Sequence, residues 1–396
     1  MPADIRFPPT RAEALRRLQA FVPSAGAVYA QGRNADHGPD NRRNVSVLSP
    51  YLRHRLVTER EVIADVLARH GMGAAEKFSQ EVLWRTYWKG WLEMRPAVWQ
   101  RYEAERDAAR AHAKGALLAR AEAGGTGIDG FDDWAQELVA TGYLHNHARM
   151  WFASIWIFTL RLPWTLGADF FMRHLVDADP ASNTLSWRWV AGLQTPGKTY
   201  LATTDNIARY TGGRFAPHGL AAVATPLTEA AFPGPMPIVP PARADLGLPT
   251  LLLVTPDDLH PESHFATGAA FKAALVAGHA GGGALSQAFV GGAADDAVRR
   301  VTVHFDCPAQ RVDGVESATV LAAVRDAGAV QVVVPWAPVG PGADAIAALA
   351  SDLAAQGVPL VRSLRGWDAR FWPCARKGFF PFKAQIPEIL AVDGLI

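Results

Sequence analysis

The segment Thr141–Gly192 reads TGYLHNHARM WFASIWIFTL RLPWTLGADF FMRHLVDADP ASNTLSWRWV AG, and it brings carboxylates, an arginine and several tryptophans within short spacing. Asp177 and Asp179 stand at a break between two helical stretches, and Arg149 is the cationic candidate to pair with one of them. Such a group can be a structural ion pair or can hold a polar ligand. Spacing alone leaves both interpretations open.

A second pattern in this segment places an amide beside an aromatic ring. Asn183, Trp187 and Trp189 fall at positions i, i+4 and i+6 of a predicted helix. Asn183 and Trp187 therefore share one face, whereas Trp189 points elsewhere. An amide and an aromatic ring on one face suit a flat heteroaromatic cofactor, but core packing explains them almost as well.

Three regions of different composition follow one another along the chain. Residues 1–212 show apolar residues at helical spacing, residues 213–248 are rich in proline, and residues 249–396 alternate β-branched runs with helical stretches. The last pattern predicts a parallel sheet. The fold class expected is therefore α plus α/β: an all-helical domain, a semi-rigid linker and a parallel-sheet α/β domain.

The expected elements follow from periodicity and capping signals. The predicted helices are Arg11–Val22, Val62–His70 opened by a Thr58–Glu61 capping box, Phe78–Glu93, a helix from Pro96 through Arg120, Phe131–Val139, Tyr143–Leu160, Ala318–Ala327 and Asp344–Gln356. The predicted strands are Thr250–Val254, Val301–Phe305, Val330–Val334 and one that begins at Pro359–Val361.

The bulk composition excludes several classes of protein. Two cysteines, Cys307 and Cys374, cannot build a disulfide framework, a four-cysteine zinc site or a four-cysteine iron–sulfur cluster. Met1–Pro9 lacks the apolar run of a signal peptide, and Met150–Leu160 is too short to span a bilayer. We expect a cytoplasmic protein without a membrane or metal partner, and a monomer, although the oligomeric state stays open. The mildly basic N-terminal half permits contact with phosphates.

A co-linear set of motifs resembles the FAD-binding domain of DNA photolyases and cryptochromes. Gly142-Tyr-Leu-His-Asn-x-x-Arg-Met150 and Leu175-Val-Asp-Ala-Asp-x-x-x-Asn-x-x-x-Trp-x-Trp189 carry the resemblance. Ser46-Val-Leu-Ser-Pro-Tyr-Leu-Arg53 is similar to the family's phosphate loop, and Glu81-Val-Leu-Trp-Arg85 to its Glu-Leu-x-Trp-Arg. The match covers roughly residues 8–215, with Pro8–Phe21 in the place of the family's first helix. Each motif alone is weak evidence, but their common order is specific.

The resemblance implies a set of flavin contacts. Ser46, Val47, Leu48 and Ser49 are expected to offer donors to the FAD diphosphate, with Arg85 close to the flavin and diphosphate. Arg149 is expected to pair with Asp177 beside the isoalloxazine, with Asp179 nearby. Tyr29 is expected to contact the flavin and Asn183 to face its N5. A neutral amide at this last position resembles photolyases, whereas many plant-type receptors carry Asp.

The resemblance also implies a substrate side. Residues of this chain match the positions at which pyrimidine-dimer photolyases hold a flipped-out lesion: Glu81, Trp84, Asn146, Met150 and Trp189. Trp84 and Trp189 can sandwich bases, each stack contributing about 1–3 kcal/mol, and a poorly paired lesion costs little to extrude. Glu81 and Asn146 can hydrogen-bond the exposed base edges. The alternative is that these side chains only line the flavin cavity.

The chain departs from the family at several points. Trp187 and Trp164 match two members of its electron relay, but Arg101–Thr126 contains Tyr102 and no Trp where the third is usual; Trp134, Trp151 or Trp156 are alternatives. His147 stands where pyrimidine-dimer photolyases usually have Arg, and His is a weak fixed cation near neutral pH. It either contacts the lesion or the DNA backbone, or it simply faces solvent. Residues 193–206 also differ from the common sequence.

The C-terminal region resembles the family's antenna domain, which normally comes first. Leu251-Leu-Leu-Val-Thr-Pro-Asp-Asp258, Gly357-Val-Pro-Leu-Val361 and Lys377-Gly-Phe-Phe-Pro-Phe-Lys383 carry this weaker match. The inverted order suggests a circular permutation joined by the proline-rich linker. A generic α/β domain of other purpose is the alternative, and no antenna chromophore can be named.

The function implied is light-driven repair, in which excited reduced FAD gives an electron to a pyrimidine dimer in single- or double-stranded UV-damaged DNA. A cryptochrome-type photoreceptor without repair activity is the main alternative, and a light-independent flavoprotein a third. Whether a pyrimidine dimer or a 6-4 product is the lesion is left open.

Overall fold

The computed structural model describes residues 7–112, 115–279 and 281–396, and it confirms a helical part followed by an α/β part. The helices of the N-terminal part are α1 (Arg11–Phe21), α2 (Ala27–Gly32), α3 (Ser49–Arg53), α4 (Glu59–Glu93), α5 (Pro96–His112), α6 (Ala116–Ala123), α7 (Phe131–Thr141), α8 (Asn146–Ser154), α9 (Trp164–His174), α10 (Pro180–Val190) and α11 (Thr204–Thr211). No helix among the described residues is long and apolar enough to cross a membrane.

The long helix α4 begins where the sequence predicts. Thr58 accepts from the Glu61 backbone N–H at 3.2 Å, and the Glu61 side chain accepts from the Thr58 N–H at 2.8 Å, which is the reciprocal capping box. The helix is bent at Gly71, whose φ of 68° is open to glycine but unfavourable for other residues. This bend separates the two helices predicted from periodicity.

Two helix predictions in this part are wrong at their ends. The predicted Tyr143–Leu160 helix begins only at Asn146, because His145 caps α8 through its Nδ1, and it continues as a π-helical turn over Ile155–Thr159. The helix predicted from Pro96 through Arg120 is divided: α5 ends at His112 and α6 begins at Ala116, while Ala113 and Lys114 lie outside the described residues.

The proline-rich segment 213–248 lies against the helical part without regular structure. Arg188 on α10 donates to Glu229 at 2.8 Å, and the Arg101 guanidinium lies 3.7 Å from the centroid of the Phe232 ring. The Met236 N–H donates to the Met94 carbonyl at 2.9 Å. These contacts attach the linker to α4, α5 and α10 along much of its length.

The C-terminal part is a parallel sheet with the order β3-β2-β1-β4-β5. Its elements are β1 (Thr250–Val254), β2 (Phe271–Ala277), α12 (Ala284–Phe305), β3 (Ala309–Val312), α13 (Ser317–Asp326), β4 (Gln331–Pro335), α14 (Pro341–Ala355), β5 (Leu360–Ser363), α15 (Gly366–Phe371) and α16 (Phe379–Val392). In register, Leu252 of β1 faces Ala274 of β2 on one side and Val333 of β4 on the other. This is the order of a doubly wound sheet.

The strand predicted at Val301–Phe305 is wrong, because these residues form the last turns of α12. Burial of Val301 and Phe305 with Ala297 follows the four-residue helical spacing, which the β-branched composition concealed. The sequence did not predict the short strand β3, because its side chains are at most partly buried. It did not predict β2 either, because an alanine-rich segment carries little strand propensity.

Buried ion pairs join the two parts. Arg53 donates to Asp257 at 2.8 Å, and Arg55 donates to Asp258 at 3.2 Å and to Asp368 at 2.6 Å. All five side chains are buried. The two aspartates that end the Leu251–Asp258 motif therefore neutralise arginines beside the Ser46–Arg53 loop, so the sheet and the loop are held in fixed relation.

Candidate functional site

The Asp177 carboxylate and the Arg149 guanidinium form the predicted ion pair with bidentate geometry. Arg149 Nη1 donates to Oδ1 at 3.1 Å, and Nη2 donates to Oδ2 at 2.9 Å. Burial opposes the charged form of Asp177, but the charge and hydrogen bonds of Arg149 outweigh burial and hold the carboxyl pKa below its usual range. The pair is therefore ionised at neutral pH and fixes α8 to the start of α10.

Asp179 has two roles at the beginning of α10. Its Oδ1 caps the helix by accepting from the Ser182 N–H at 2.8 Å. Its Oδ2 lies 3.4 Å from Arg85 Nη1 and 3.7 Å from Lys89 Nζ. Burial opposes ionisation, yet the positive charges, with Lys89 contributing most, hold the pKa of Asp179 well below its usual range. Arg53 Nε lies 3.9 Å from the same oxygen, and Glu59 Oε1 lies 4.0 Å from Lys89 Nζ, so Asp179 belongs to a network of buried charges of both signs.

Asn183 is held in one orientation inside this site. Its Nδ2 donates to the Ala168 carbonyl at 2.9 Å, and the residue is buried. With the amide nitrogen bound to α9, the amide oxygen is the atom left to accept a further hydrogen bond. On the same face, Trp187 packs so closely on Gly167 that a Cβ at that position would lie 2.3 Å from its ring.

The loop Ser46–Ser49 carries a strained backbone. Val47 has a φ of 52°, which is unfavourable for a β-branched residue and is retained where the surroundings require it. The next N–H, that of Leu48, donates to Ser46 Oγ over a long distance of 3.4 Å, so this hydrogen bond within the loop is weak. A turn of this kind presents successive N–H groups that favour an anion. Ser49 is near enough to Asp177 to help lower the pKa of that carboxyl, which places the loop beside the start of α10.

These residues fit a flavin dinucleotide on their own chemistry. Among the described residues, buried donors without a hydrogen-bond partner include Arg85 Nη1, Lys89 Nζ and Ser182 Oγ, all around Asp179. Unpaired buried donors are costly unless a ligand or water satisfies them. The cations and the backbone N–H groups of the Val47 turn can donate to phosphates. The Asn183 amide oxygen can accept from a ring N–H. Tyr29 lies farther along, with its ring edge-on to Phe78 at 5.1 Å.

The residues predicted for the substrate side lie in different surroundings. The Glu81 carboxylate is paired with Arg33. Trp84 stacks on Phe379 of α16, with ring centroids 3.7 Å apart and planes at 11°, whereas Trp189 stacks on Tyr200 at 5.7 Å and 26°. Asn146, the first residue of α8, is exposed, and Met150, in the middle of the same helix, is partly buried.

His147 neither faces open solvent nor is free to contact DNA. Its Nδ1 donates to the Asn34 carbonyl at 3.0 Å, its Nε2 lies 3.3 Å from the Tyr200 hydroxyl, and its ring stacks on Trp151 at 4.2 Å. Burial lowers the pKa of His147, so the ring is neutral at neutral pH. The exposed alternative for His147 is therefore wrong.

The aromatic residues near Trp187 and Trp164 do not form one simple row. Trp187 meets Trp156 edge-on at 6.2 Å, and Trp164 lies 5.7 Å from Tyr102, which in turn lies 5.2 Å from Trp99. Of the alternatives weighed for a third relay member, Trp156 contacts Trp187. Trp134 and Trp151 stack on each other at 5.4 Å.

Four residues around the site were not predicted: Arg33, Lys89, Tyr200 and Phe379. Lys89 had a usable signal, since it follows Arg85 by one helical turn on α4. Phe379 had a weaker signal, because it lies in the Lys377–Lys383 motif that resembles the antenna domain. Arg33 and Tyr200 lie in segments without a motif, and only their contacts reveal them.

Part of the chain is similar to known proteins. Residues 78–214 match the family described as the FAD binding domain of DNA photolyase. The deoxyribodipyrimidine photo-lyase of Streptomyces griseus is 36% identical over 185 residues, which are 46% of this chain and 39% of that protein. The corresponding protein of Thermus thermophilus is 32% identical over 224 residues, 53% of this chain and 49% of that protein. The chain thus spans half or less of these relatives.

Solved structures give partial matches. A class III photolyase from Agrobacterium tumefaciens has a TM-score of 0.43 and 27% identity, covering 52% of this chain and 43% of that one. The cryptochrome of Synechocystis has a TM-score of 0.40 and 21% identity, covering 51% of this chain and 43% of that one.

Proposed function

We propose that the helical part of this chain, of which residues 78–214 match the FAD binding domain of DNA photolyase, binds FAD, and that the protein repairs pyrimidine dimers in UV-damaged DNA under light. The observation that carries the proposal is Asn183, a neutral amide with its nitrogen bound to Ala168 and its oxygen left as an acceptor. The inverted order of the two parts, and hence a circular permutation, stays a prediction.

In this proposal FAD, bound in its reduced form, supplies light absorption and the electron that opens the dimer. The protein supplies fixed charges and orientation. Arg85, Lys89 and the Val47 turn hold the diphosphate, while the Arg149–Asp177 pair and Asn183 hold the ring system. The two carboxylates, Asp177 and Asp179, stay ionised near neutral pH, because neighbouring cations hold their pKa values below the usual range.

On the substrate side, the flipped lesion stacks against Trp84 and Trp189. Base stacking on aromatic side chains contributes about 1–3 kcal/mol per base, enough to offset extrusion of a base that is already poorly paired. Glu81 and Asn146 hydrogen-bond the base edges, and Met150 packs beside them. Because Arg33 neutralises Glu81, lesion binding requires that carboxylate to be shared with Arg33 or released from it.

The test is to illuminate the reduced, FAD-loaded protein with dimer-containing single- and double-stranded oligonucleotides and follow dimer loss. Repair by the wild type and its loss in Trp84→Ala are expected, with FAD content unchanged. Trp91→Ala, two turns farther along α4, is the matched control and should keep repair. A flavin-loaded wild type that leaves both dimers and 6-4 products intact would contradict the proposal.

Two observations favour a second candidate, a photoreceptor of cryptochrome type. The Glu81–Arg33 ion pair occupies a carboxylate that a repair enzyme needs for the base edge, and His147 is turned into the protein. A receptor would bind FAD, change its absorption under light and show no preference for damaged DNA. The same oligonucleotide assay therefore separates the two functions.

A further inference from the structure

Tyr200 lies against the helix that carries Trp189. Its ring stacks on the Trp189 ring with centroids 5.7 Å apart and planes at 26°. The Tyr200 N–H donates to the Val190 carbonyl at 3.2 Å, and the Ala202 N–H donates to Ser154 Oγ at 2.8 Å. The backbone of this irregular segment is therefore fixed on both sides of the tyrosine.

The Tyr200 hydroxyl is held by His147. A carbonyl only accepts, so the bond from His147 Nδ1 to the Asn34 carbonyl requires the proton to be on Nδ1. In the neutral ring Nε2 is then an acceptor, and it lies 3.3 Å from the Tyr200 hydroxyl, nearer than the second acceptor, Asn206 Oδ1, at 3.5 Å. Stacking of His147 on Trp151 at 4.2 Å fixes the plane of the imidazole. His147, Tyr200 and Trp189 therefore contact one another in a row, and the Asn34 carbonyl and the Trp151 ring hold its His147 end in place.

This row joins two departures from the family pattern. His147 replaces an arginine usual in pyrimidine-dimer photolyases, and Tyr200 lies in the divergent segment 193–206. They are 53 residues apart in sequence and touch only in the folded chain. An arginine with a long flexible side chain would not offer the acceptor that the tyrosine hydroxyl uses.

We propose that Tyr200 is a positioning residue that holds the Trp189 ring for base stacking, and that His147 fixes Tyr200 for this task. The inference rests on the proposed function, in which Trp189 stacks on a lesion base. A tryptophan has two faces, and Tyr200 covers one of them, so a base can take the other. An indole that is already immobilised loses less side-chain entropy when the base binds.

The expected effect is a change in lesion affinity that runs through Trp189. Tyr200→Leu should weaken dark binding of a dimer-containing single strand by about 2- to 10-fold, since ordering one side chain costs about that much. Binding of the undamaged strand should not change. Tyr200→Phe keeps the stacked ring but loses the bond to His147, so its loss of affinity should be smaller than that of Tyr200→Leu, and His147→Leu should lose about as much as Tyr200→Phe.

Two measurements make the inference falsifiable. In a Trp189→Ala background, Tyr200→Leu should have no further effect on lesion affinity; an equal loss there would overturn the inference. With 5-fluorotryptophan labelling, the fluorine resonance lost in Trp189→Phe identifies Trp189, and it should broaden in Tyr200→Leu. An unchanged resonance would also overturn it. A wild type that binds damaged and undamaged strands equally would instead overturn the proposed function, while the resonance still decides whether Tyr200 positions Trp189.

Discussion

Phe379 stacks on Trp84 face to face, with centroids 3.7 Å apart and planes at 11°, although they belong to opposite ends of the chain. Phe379 begins α16, which follows the last strand of the sheet in the chain, and Trp84 lies on α4 of the helical part. The α/β part therefore contributes a wall of the aromatic cluster that the proposed lesion site uses. One face of Trp84 is covered and is not available to a base.

Replacing Phe379 by Ala should lower the free energy of unfolding by about 3–5 kcal/mol, because it removes a buried aromatic ring and leaves a cavity. The adjacent Phe380 is 82% exposed, so Phe380→Ala should change stability by no more than about 0.5 kcal/mol. Denaturant unfolding measures both. If the two variants lose equal stability, Phe379 does not pack as described.

Replacing Asp177 by Asn should destabilise the flavin-free protein by about 3 kcal/mol, since it leaves the Arg149 charge without its partner. The Arg149→Gln, Asp177→Asn double variant should recover part of this loss, because no charge then remains unpaired. Urea unfolding of the four proteins gives the coupling energy. Strictly additive losses would show that the ion pair contributes no coupling.

Glu93 predicts a pH dependence of stability. Its carboxylate accepts from Trp336 Nε1 at 2.9 Å and from the Val339 N–H at 3.0 Å, but burial dominates and raises its pKa from 4.5 to about 7. The folded state then binds more protons than the unfolded state between these pH values, so stability should fall as pH rises from 4.5 to 7. The fall amounts to about 3 kcal/mol at most.

Comparison with Glu93→Gln isolates this contribution. The free energy of unfolding of the wild type minus that of the variant should fall by up to about 3 kcal/mol as pH rises from 4.5 through 7, and it should level off about one unit above pH 7. Equilibrium unfolding at half-unit pH steps measures it. A difference that is constant across this range would mean that Glu93 titrates normally.

The Gly167→Ala substitution should disturb Trp187, which matches a member of the electron relay. The new Cβ would lie 2.3 Å from the Trp187 ring and 2.9 Å from Trp156 Nε1, so Trp187 has to move. We expect a loss of about 1–3 kcal/mol in stability and a slower photoreduction of bound flavin. Gly73→Ala, in a helix with nothing near its Cβ, should be neutral or slightly stabilising. Unchanged photoreduction in Gly167→Ala would argue against a relay through Trp187.

Much of the ion-pair chemistry was predictable because it follows local rules. The Thr58–Glu61 box depends on spacing within one turn. Arg149 is the only arginine in its motif, but the second motif offers both Asp177 and Asp179, and only the family resemblance selected Asp177. The misassigned strand at Val301–Phe305 shows the limit of such rules. A β-branched run reports that residues are apolar, whereas burial at four-residue intervals, which reveals a helix, depends on the neighbouring elements.

The sequence by itself determined the order of helical part, linker and sheet, and the identity of the charged and aromatic groups of the proposed flavin site. Only the tertiary structure decided which side chains support them: Arg33 on Glu81, Tyr200 on Trp189, Phe379 on Trp84 and Asp257 on Arg53. These contacts join residues far apart in sequence. Periodicity and motif spacing act over a few residues, whereas stacking and buried ion pairing are chosen by how whole elements pack.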